Sequence, residues 1–535
     1  MKTAFLAATL LCTLALQAQT DAGIRFDATV YALQDMAHNG SPLYMVNNTT
    51  DSQGTKLHND QAPIGSHLTT LCIDASAIPG TISSISVYAN NKAAIAGPLS
   101  YDGSKTSTPT GSKANAYASN GQSDVVMLQG DATTCTAYLL PANLTTGVLV
   151  TAHTTDGKYY SQKFSDPITA GSTQTLTLTN ATANNLWMAT IPGNTYFSFV
   201  STPGAHDAAT SGVTSYTTLA KCQDQDIASL LANGVRAFDL RPGYHYNAEI
   251  TADNLYIYHG QVSTNVLYKD AIKTMVDFLK ANPSEAISIV MIKENCKPIL
   301  DFSGKWSDRS SEMWNVINAC HSQYSSYMKL LDRNTYTLDS FRGKICYINR
   351  TGTNCTGTTR ITNWPDDATL ADYTAAIGSS CFASIQDCYN LNGTNKQNEI
   401  KSMLQIASSN TEKKNFHYNF CSSANSPASY AKATNPVISA YLNEGNIAGP
   451  TGYVYADYIG SASNGGADLL TSIVEQNYRY VYEGRRFEGD WDTLTGIQSA
   501  TATAGRPVIY DLQGRPQTRL QRGMNIVNGT KIIGK

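Results

Sequence analysis

The chain has 535 residues, of which 42% are hydrophobic and 15% are charged. This length exceeds what one hydrophobic core normally serves, so two or three domains are expected, and the hydrophobic fraction excludes disorder over the whole chain. The 38 Lys and Arg residues nearly balance the 41 Asp and Glu residues, which leaves a net charge of −3 at pH 7. Because no strong positive field exists, binding of nucleic acid is not expected.

Residues 1–18 have the pattern of a signal peptide. Lys2 precedes the apolar run AFLAATLLCTLAL, and small residues surround Ala18. The run is too short to span a bilayer, so we expect export of a secreted or cell-surface protein. Cys12 lies in this segment, which leaves 10 of the 11 cysteines for the mature chain. These either form disulfides or remain buried thiols, because their spacing does not specify a pairing.

Residues 19–190 are rich in Thr, Ser, Asn and Gly and contain short runs of alternating polarity. Asp156-Gly157 stands between two such runs, which is a strong hairpin signal. We predict an all-β, sandwich-like domain that serves as a binding or spacer module. It contains no catalytic constellation, and its scattered histidines are interpreted as solvated or structural: His38, His58, His67 and His153.

Residues 191–490 change to strands that alternate with amphipathic helices. Eight apolar runs are candidate strands: YFSFVS, GVRAFDL, LYIYH, AISIVMI, KICYIN, CFASIQD, NFHYNFC and GYVYADYI. Stretches between them, such as VLYKDAIKTMVDFLKANP, have apolar residues at spacings of three and four. The α/β pattern predicts a TIM-type barrel, either regular or distorted and open.

Ionisable residues follow most of these runs, at the end of the barrel where the loops of such folds converge. They are His206 and Asp207 after the first, Asp239 and Arg241 after the second, His259 after the third, Glu294 after the fourth, Arg350 after the fifth, Asp387 after the sixth and Asp457 after the eighth. A single His or Asp in such a place is usually structural. Two His, two Arg and several carboxylates on one rim are hard to explain by packing.

This set of residue types fits cleavage of a phosphodiester. Two imidazoles can divide the general base and general acid roles, and a guanidinium binds a phosphoryl group. The rival interpretation is a hard cation held by the carboxylates Asp239, Glu294 and Asp457. Arg241 is predicted on the same strand face as Asp239 and would bring its own positive charge to that place. We therefore predict a site with no metal and no cofactor.

Segments that span residues 197–458 resemble bacterial phosphatidylinositol-specific phospholipase C. They follow one another in the family's order: IPGNTYFSFVSTPGAHDAATSG, GVRAFDLR, LYIYHG, NPSEAISIVMIKE, FRGKICYINR, WPD, QDCY and YADY. The resemblance covers a whole domain rather than one motif. It implies a barrel enzyme that is a phosphatidylinositol diacylglycerol-lyase.

The resemblance also implies individual roles. His206 would be the general base on the inositol 2-hydroxyl, oriented by Asp457. His259 would be the general acid on the diacylglycerol oxygen, paired with Asp207. Arg241 would bind the phosphate in the place that calcium fills in eukaryotic relatives. The other matches would hold the inositol ring or line its pocket: Asp239, Glu294, Arg350, Trp364, Asp366, Asp387 and Tyr389.

The implied reaction releases diacylglycerol and inositol 1,2-cyclic phosphate without a metal. The substrate would be phosphatidylinositol or a glycosylated, GPI-type inositol lipid. The alternative is a catalytically weak or inactive surface protein that binds a lipid or glycan on the same fold. It is disfavoured because every residue assigned to the chemistry is present. We expect a monomer, and the role of Lys293 stays open, since a gapless alignment puts Glu294 in register but leaves an apolar residue where the family often has a basic one.

Two peripheral regions complete the prediction. The rim segments YTTLAKCQDQDIA and CSSANSPASYAKATNP lack the Trp that relatives expose to bilayers, so weak membrane-surface contact is expected, with Tyr216 and Tyr430 as a modest substitute. Residues 500–535 form a short β segment that resembles the C-terminal sorting modules of type IX secretion substrates. The alternative is a terminal hairpin that packs on the barrel.

Overall fold

The structure is a computed structural model that describes residues 144–480 with short gaps, of which the longest is 295–306. It also describes residues 69–88 and 133–139, and isolated strands elsewhere. The signal peptide predicted at 1–18 lies outside the described residues. Residues 1–488 form one compact unit and residues 489–535 another.

The N-terminal part of the first unit is all β, as the alternating runs predict. Its sheets have the orders β3-β2-β1-β6-β7, β11-β10-β5-β8 and β12-β4-β9. The hairpin predicted at Asp156-Gly157 joins β10 to β11, and Gly157 has φ of 79°, which favours glycine. The strands are β1 Phe26–Thr29, β2 Tyr44–Thr50, β3 Lys56–Pro63, β4 Thr69–Asp74, β5 Ile82–Tyr88, β6 Leu99–Tyr101, β7 Thr110–Gly111, β8 Val125–Gln129, β9 Thr134–Leu139, β10 Val148–Thr154, β11 Tyr159–Phe164 and β12 Thr173–Thr177.

A closed barrel of nine strands follows. Each strand pairs with the next one in chain order, and the last strand pairs with the first, which closes the ring. All neighbours are parallel except around β22, which runs antiparallel to both of its partners. The barrel strands are β13 Thr202–Ala205, β14 Ala237–Leu240, β18 Ile287–Met291, β20 Ile345–Asn349, β21 Thr359–Thr362, β22 Ala371–Ile377, β23 Cys381–Gln386, β24 Asn415–Phe420 and β25 Tyr453–Ala456. Outside the ring lie β15 Pro242–Gly243, β16 Tyr256–His259, β17 Val262–Leu267 and β19 Met328–Lys329.

Helices pack around the barrel. They are α1 Thr217–Ala220, α2 Ile227–Ala232, α3 Tyr268–Ala281, α4 Ser310–Gln323, α5 Leu338–Phe341, α6 Gly393–Ser409, α7 Pro427–Asn443 and α8 Gly466–Tyr480. Short 3₁₀ turns occur at Trp187–Thr190, Phe197–Phe199, Thr210–Gly212, Ser325–Tyr327 and Ala462–Asn464. The apolar stripes of the helices and the strands meet in one continuous core. In the part of the chain that the structure describes, none of the helices combines the length and the apolar character needed to cross a bilayer.

The α/β barrel is confirmed, with three corrections to the eight-strand prediction. The run YFSFVS is a 3₁₀ turn, and the first strand starts after it, at Thr202. The run LYIYH supplies β16, which belongs to a separate antiparallel sheet, β15-β16-β17. Strands β21 and β22 were not predicted, because TRIT and ADYTAAI lack the long apolar run used to recognise the others.

A buried ion pair closes the N-terminal end of the barrel, away from the loops that follow the strands. Arg236 precedes β14 and Glu285 precedes β18, and both side chains are fully buried with Nε 2.9 Å from Oε2. The guanidinium also donates to the carbonyl of Asn185, and Glu285 accepts from the backbone N–H of Ala189. The segment that leaves the β domain is therefore held on the barrel floor by charged groups as well as by Trp187, which is fully buried.

Glu285→Ala is expected to destabilise the protein by about 3–5 kcal/mol, because it leaves the Arg236 guanidinium buried without its counter-charge. We expect the thermal midpoint to fall by at least about 5 °C. The matched control is Asp277→Asn on α3, which breaks exposed pairs with Lys273 and Lys280 and should change stability by less than about 1 kcal/mol. Equal effects of the two substitutions would contradict this account of the barrel floor.

The second unit contains four short strands, β26 Ile509–Tyr510, β27 Pro516–Gln517, β28 Gly523–Val527 and β29 Thr530–Gly534, in one sheet of order β27-β26-β28-β29. Strands β28 and β29 form an antiparallel hairpin in the sequence GMNIVNGTKII. Among the described cysteines eight are free thiols, and seven of these are buried. For these residues the buried-thiol alternative holds.

Candidate active site

A cavity of about 310 Å³ opens where the barrel strands end. Eight of the twelve predicted site residues line it: His206, Arg241, His259, Glu294, Arg350, Asp366, Asp387 and Tyr389. The other four, Asp207, Asp239, Trp364 and Asp457, contact members of this lining from behind. The structure therefore brings all twelve predicted residues together. Of these residues, His259 lies on β16, in the separate sheet β15-β16-β17, rather than at the end of a barrel strand.

His206 and Asp457 meet because β13 and β25 are neighbours, and each residue directly follows its strand. Nδ1 of His206 lies 2.7 Å from Oδ1 of Asp457. The two strands approach closely at Gly204, where an added Cβ would lie 2.8 Å from the Tyr455 ring. A side chain at this position would push β13 away from β25. The glycine thus helps to set the imidazole–carboxylate distance.

Arg241 occupies the centre of the site. Its Nη2 and Nε lie 2.7 and 3.0 Å from Oδ2 of Asp239, and Nε lies 2.9 Å from Oδ1 of Asp207. Nη1 is 3.3 Å from Oε1 of Glu294. Burial lowers the pKa of Arg241, but these carboxylates outweigh it and raise the pKa well above its usual range. The guanidinium is a permanent positive charge on the cavity wall.

The contacts of His206 define the tautomer that can accept a proton. Nη2 of Arg241 lies 2.8 Å from Nε2 of His206. A guanidinium only donates, so in the neutral imidazole Nε2 is the unprotonated nitrogen and the Nδ1–H donates to Asp457. Burial lowers the pKa of His206, but Asp207 and Asp457 more than offset this and raise it to about 9. The same carboxylates that orient the imidazole make it a strong base.

Histidine NMR titration of the full chain should assign to His206 a pKa well above 6.5, near 9. In Asp457→Asn the pKa is expected to fall by at least about one unit, because a charge that favours the imidazolium is removed. His206→Gln identifies the resonance. A His206 pKa unchanged by Asp457→Asn would contradict the pairing of these two side chains.

His259 faces the same cavity from β16. Its Nδ1 lies 3.0 Å from the carbonyl oxygen of Ala220, and its Nε2 lies 3.6 Å from Oδ2 of Asp207. Both ring nitrogens therefore face hydrogen-bond acceptors. Asp207 has φ of 45° and is buried, so its two oxygens reach Arg241 on one side and His259 on the other. This carboxylate links the guanidinium to the second imidazole.

The far wall of the cavity is built from Arg350 and its partners. The guanidinium stacks on Trp364 with Cζ 3.7 Å from the ring centroid, and Nη2 lies 3.4 Å from Oδ2 of Asp387. Trp364 donates from Nε1 to the same oxygen at 2.9 Å, and the hydroxyl of Tyr389 donates to Asp366 at 3.0 Å. Burial lowers the pKa of Arg350. Planar, charged and hydroxyl groups in one wall suit a polyhydroxylated ring.

Sequence reasoning missed the residues that support this lining. Nε2 of Gln223 donates to the carbonyls of His206 and Ala456 at 2.7 and 2.9 Å and thereby holds the ends of β13 and β25 together. Cys222, its neighbour, lines the cavity. Both lie in an irregular segment between α1 and α2, where no periodicity marks a residue as inward-facing. A buried Gln in a polar stretch could be found only from the fold.

The position of Lys293 is now defined. Its Nζ lies 2.6 Å from Oγ of Ser310 and 3.4 Å from Oδ1 of Asp308, and it is not part of the described cavity lining. Ile292 and Glu294 line the cavity instead.

Three overlapping sets of donor atoms among the described residues are close enough to hold a metal ion: His206 with Cys222 and Asp457, Asp207 with Cys222 and His259, and His206 with Asp207 and Asp239. The last set is spanned by Arg241, which contacts each of its members. A cation among these three donors would face the guanidinium at hydrogen-bond distance. For this set the geometry agrees with the argument that Arg241 takes the place of a cation.

Residues 200–346 match the family model described as "Phosphatidylinositol-specific phospholipase C, X domain". The curated relatives agree with this match. The comparisons support this family for the barrel.

Two curated relatives that the chain matches are named 1-phosphatidylinositol phosphodiesterase. That of Staphylococcus aureus (strain Newman) is 27% identical over 308 residues, which cover 54% of this chain and 93% of the relative. That of Listeria monocytogenes serovar 1/2a is 32% identical over 119 residues, which cover 22% of this chain and 34% of the relative. A solved structure of the phosphatidylinositol-specific phospholipase C of S. aureus is 24% identical, with a TM-score of 0.45, and covers 54% of this chain and 96% of that one.

Proposed function

We propose that the protein is a metal-independent phosphatidylinositol-specific phospholipase C that forms inositol 1,2-cyclic phosphate. The observation that carries the proposal is the convergence of His206, Arg241 and His259 on one cavity, each next to a carboxylate. The relatives named 1-phosphatidylinositol phosphodiesterase support the substrate class.

The first half of the reaction is attack by the inositol 2-hydroxyl on phosphorus. Nε2 of His206 takes the hydroxyl proton while Nδ1–H stays on Asp457. The hydroxyl must enter between Nε2 and Nη2 of Arg241, which are 2.8 Å apart in the free site, so binding turns the guanidinium towards the phosphoryl oxygens. Attack within one molecule has a large proximity advantage, so no Ser or Cys nucleophile is needed.

The second half is departure of the glycerol oxygen. As the phosphorus–oxygen bond breaks, Nε2–H of His259 gives its proton to that oxygen, and diacylglycerol leaves neutral. The Asp207 carboxylate, 3.6 Å from Nε2, stabilises the imidazolium before the transfer. Arg241 stabilises the charge that develops on the phosphoryl oxygens. Slow hydrolysis of the cyclic product to inositol 1-phosphate would use the same groups.

Selectivity for the inositol head group is assigned to the wall of Arg350, Asp387 and Tyr389. Charge-assisted hydrogen bonds from such groups distinguish a ring rich in hydroxyls from choline or ethanolamine. The cavity is open to the loops after the strands, so a GPI-type lipid with a substituent on the ring is a second substrate to be tested.

The test compares phosphatidylinositol, a GPI-type lipid and phosphatidylcholine in mixed micelles, with the full chain and with a chelator present. We expect phosphatidylinositol to release a water-soluble inositol phosphate, and phosphatidylcholine to release no water-soluble phosphate ester. Binding of inositol lipid without turnover would instead favour the alternative, an inactive binding protein. Activity that requires an added divalent cation would refute the metal-independent mechanism.

Contact with a membrane surface is proposed at the mouth of the cavity. Tyr216 and Leu219 are 72% and 58% exposed, and Leu219 lines the cavity. The sequence predicts that Tyr216 and Tyr430 contact the membrane in place of Trp. For Tyr430 the prediction is wrong, since this residue of α7 is only 9% exposed. Helix α7 begins at Pro427, and its apolar face turns Tyr430 into the core.

One exposed Tyr and one Leu give a small apolar area, so binding to neutral vesicles should be weak. In vesicle sedimentation, Tyr216→Trp is expected to raise the bound fraction about threefold, because Trp favours the interface. Phe382→Trp is the control, since Phe382 is the second residue of β23, at the opposite end of the barrel, and is 40% exposed. Tight binding of the wild type, or equal effects of the two substitutions, would contradict the proposal.

We also propose that residues 1–18 are a signal peptide that directs export. Residues 500–535 are proposed to direct delivery by a type IX secretion system. The hairpin in the second unit is compatible with a sorting module and with a simple terminal hairpin. Secretion of a reporter fused to residues 500–535, from a host that has the system, distinguishes the two.

A further inference from the structure

We propose that Cys222, Asp207 and His259 form an inhibitory site for a thiophilic divalent cation such as Zn²⁺ or Cd²⁺. The mechanism above gives no part to Cys222. This thiol is nevertheless 1% exposed and lines the catalytic cavity. Occupation of the site depends only on geometry, whereas inhibition rests on the proposed function.

The donor atoms are close to the positions that a tetrahedral ion requires. Sγ of Cys222 lies 3.8 Å from Oδ2 of Asp207. One ring nitrogen of His259 completes the set, and the three ligand atoms all lie within 4.8 Å of one another. Zinc bonds of about 2.0–2.3 Å at tetrahedral angles separate ligand atoms by roughly 3.3–3.6 Å. The ligand atoms must therefore approach one another by up to about 1.5 Å to close around an ion.

A second observation points to a ligand at the same place. Oδ2 of Asp457 is buried and has no hydrogen-bond partner within the described part of the chain. Asp457 forms an overlapping set of donors with Cys222 and His206, all within 4.8 Å of one another. The sulfur thus lies between two carboxylate–imidazole pairs. Asp457 is a candidate fourth ligand.

The position of the Arg241 charge determines which oxygen of Asp207 can bind a cation, and the ligand types determine which cation is preferred. Asp207 turns Oδ1 towards Arg241, at 2.9 Å from Nε, and Oδ2 towards Cys222 and His259. A cation next to Oδ2 therefore sits across the carboxylate from the guanidinium. Mixed thiolate, imidazole and carboxylate ligands select Zn²⁺ or Cd²⁺ over Mg²⁺ or Ca²⁺.

The thiol state of Cys222 sets the chemistry of binding. Burial raises the pKa of Cys222 well above its usual range, and the Asp457 and Asp207 carboxylates raise it further. The free thiol is therefore a poor nucleophile, and alkylation should be slow. A bound cation replaces the proton, so binding releases one proton from the sulfur and weakens as the pH falls.

Binding would stop catalysis in the proposed mechanism, because His259 could no longer deliver its proton and Asp207 would no longer support it. The cation is not a cofactor here. A chelator should leave the rate unchanged or raise it, while a soft cation should lower it.

The test titrates the metal-free full chain with CdCl₂ and with ZnCl₂. We expect one ion per chain by calorimetry and a cadmium–thiolate absorption band in the ultraviolet. Cys222→Ala should lose the band and bind at least about 100-fold more weakly, since even second-shell changes cost 10- to 100-fold. Cys72→Ala, which removes a more accessible free thiol, should bind like the wild type.

Three results would overturn the proposal: no thiolate band in the wild type, a band lost in Cys72→Ala, or unchanged affinity in Cys222→Ala. The first of these needs no variant, so a folding defect of Cys222→Ala leaves the proposal testable. Cys222→Ser provides a second substitution of similar size. If the chain binds one Cd²⁺ through Cys222 but does not cleave phosphatidylinositol, the site stands and the proposed function fails.

Discussion

His259→Ala is expected to cleave phosphatidylinositol between about 10² and 10⁴ times more slowly than the wild type. The diacylglycerol oxygen is a poor leaving group, so its departure depends on a proton from Nε2. The loss should appear in kcat, because the imidazole acts in the transition state rather than in binding the head group.

A substrate with an activated leaving group separates this role from a structural one. A nitrophenyl phosphodiester of inositol needs no protonation of the departing oxygen, so His259→Ala should lose less than about tenfold on it. In this variant only His206 must be in a defined protonation state. Its rate should rise with pH through the His206 pKa, which is raised to about 9, and then level off.

The control for His259 is His245→Ala, which removes an exposed histidine outside the described cavity lining and should keep its activity on both substrates. Full activity of His259→Ala on phosphatidylinositol would refute the acid assignment. An equal loss on both substrates would show that the side chain supports the fold of the site rather than the leaving group.

Arg241→Ala is expected to lower kcat by at least about 10² to 10³, the effect of removing one strong donor to a developing oxyanion. Arg241→Lys keeps the charge but not the planar fork and should recover only part of this loss. Both variants should retain a folded barrel, which circular dichroism checks. A KM effect without a kcat effect would contradict a role in the transition state.

Arg241→Ala has a second expected consequence. Burial raises the pKa of Asp239, while Arg241 and His206 lower it and set the net direction. Without Arg241 the pKa of the Asp239 carboxyl, which is fully buried, should rise, because its burial is no longer offset by the guanidinium. An Arg241→Ala/Asp239→Asn double variant should therefore be more stable than Arg241→Ala alone, because it removes the uncompensated charge.

Much of the fold could be predicted because its signals are local. The apolar runs that became β14, β18, β20, β23, β24 and β25 are short, buried except at Phe382, and separated by stretches of helical periodicity. Strand β16 looks the same in sequence, yet it pairs with β15 and β17 outside the ring. Periodicity gives the type of an element but not its partner, so the eight-strand count was wrong while the fold class was right.

The site could be predicted further than the barrel itself, for a physical reason. Residues that follow parallel barrel strands share one rim wherever each strand sits in the ring. His206, Arg241 and Asp457 follow from this rule alone. Gln223 and Cys222 could not be found in the same way, because they reach the site through the irregular segment between α1 and α2. Their positions depend on how that segment packs, and no sequence spacing encodes it.

Phosphorus NMR of phosphatidylinositol incubated with the full chain in excess chelator tests the central claim most directly. The account predicts that the diester signal is replaced first by that of inositol 1,2-cyclic phosphate, and that inositol 1-phosphate appears later, if at all. Direct formation of inositol 1-phosphate without the cyclic species, or no reaction until a divalent cation is added, would contradict it.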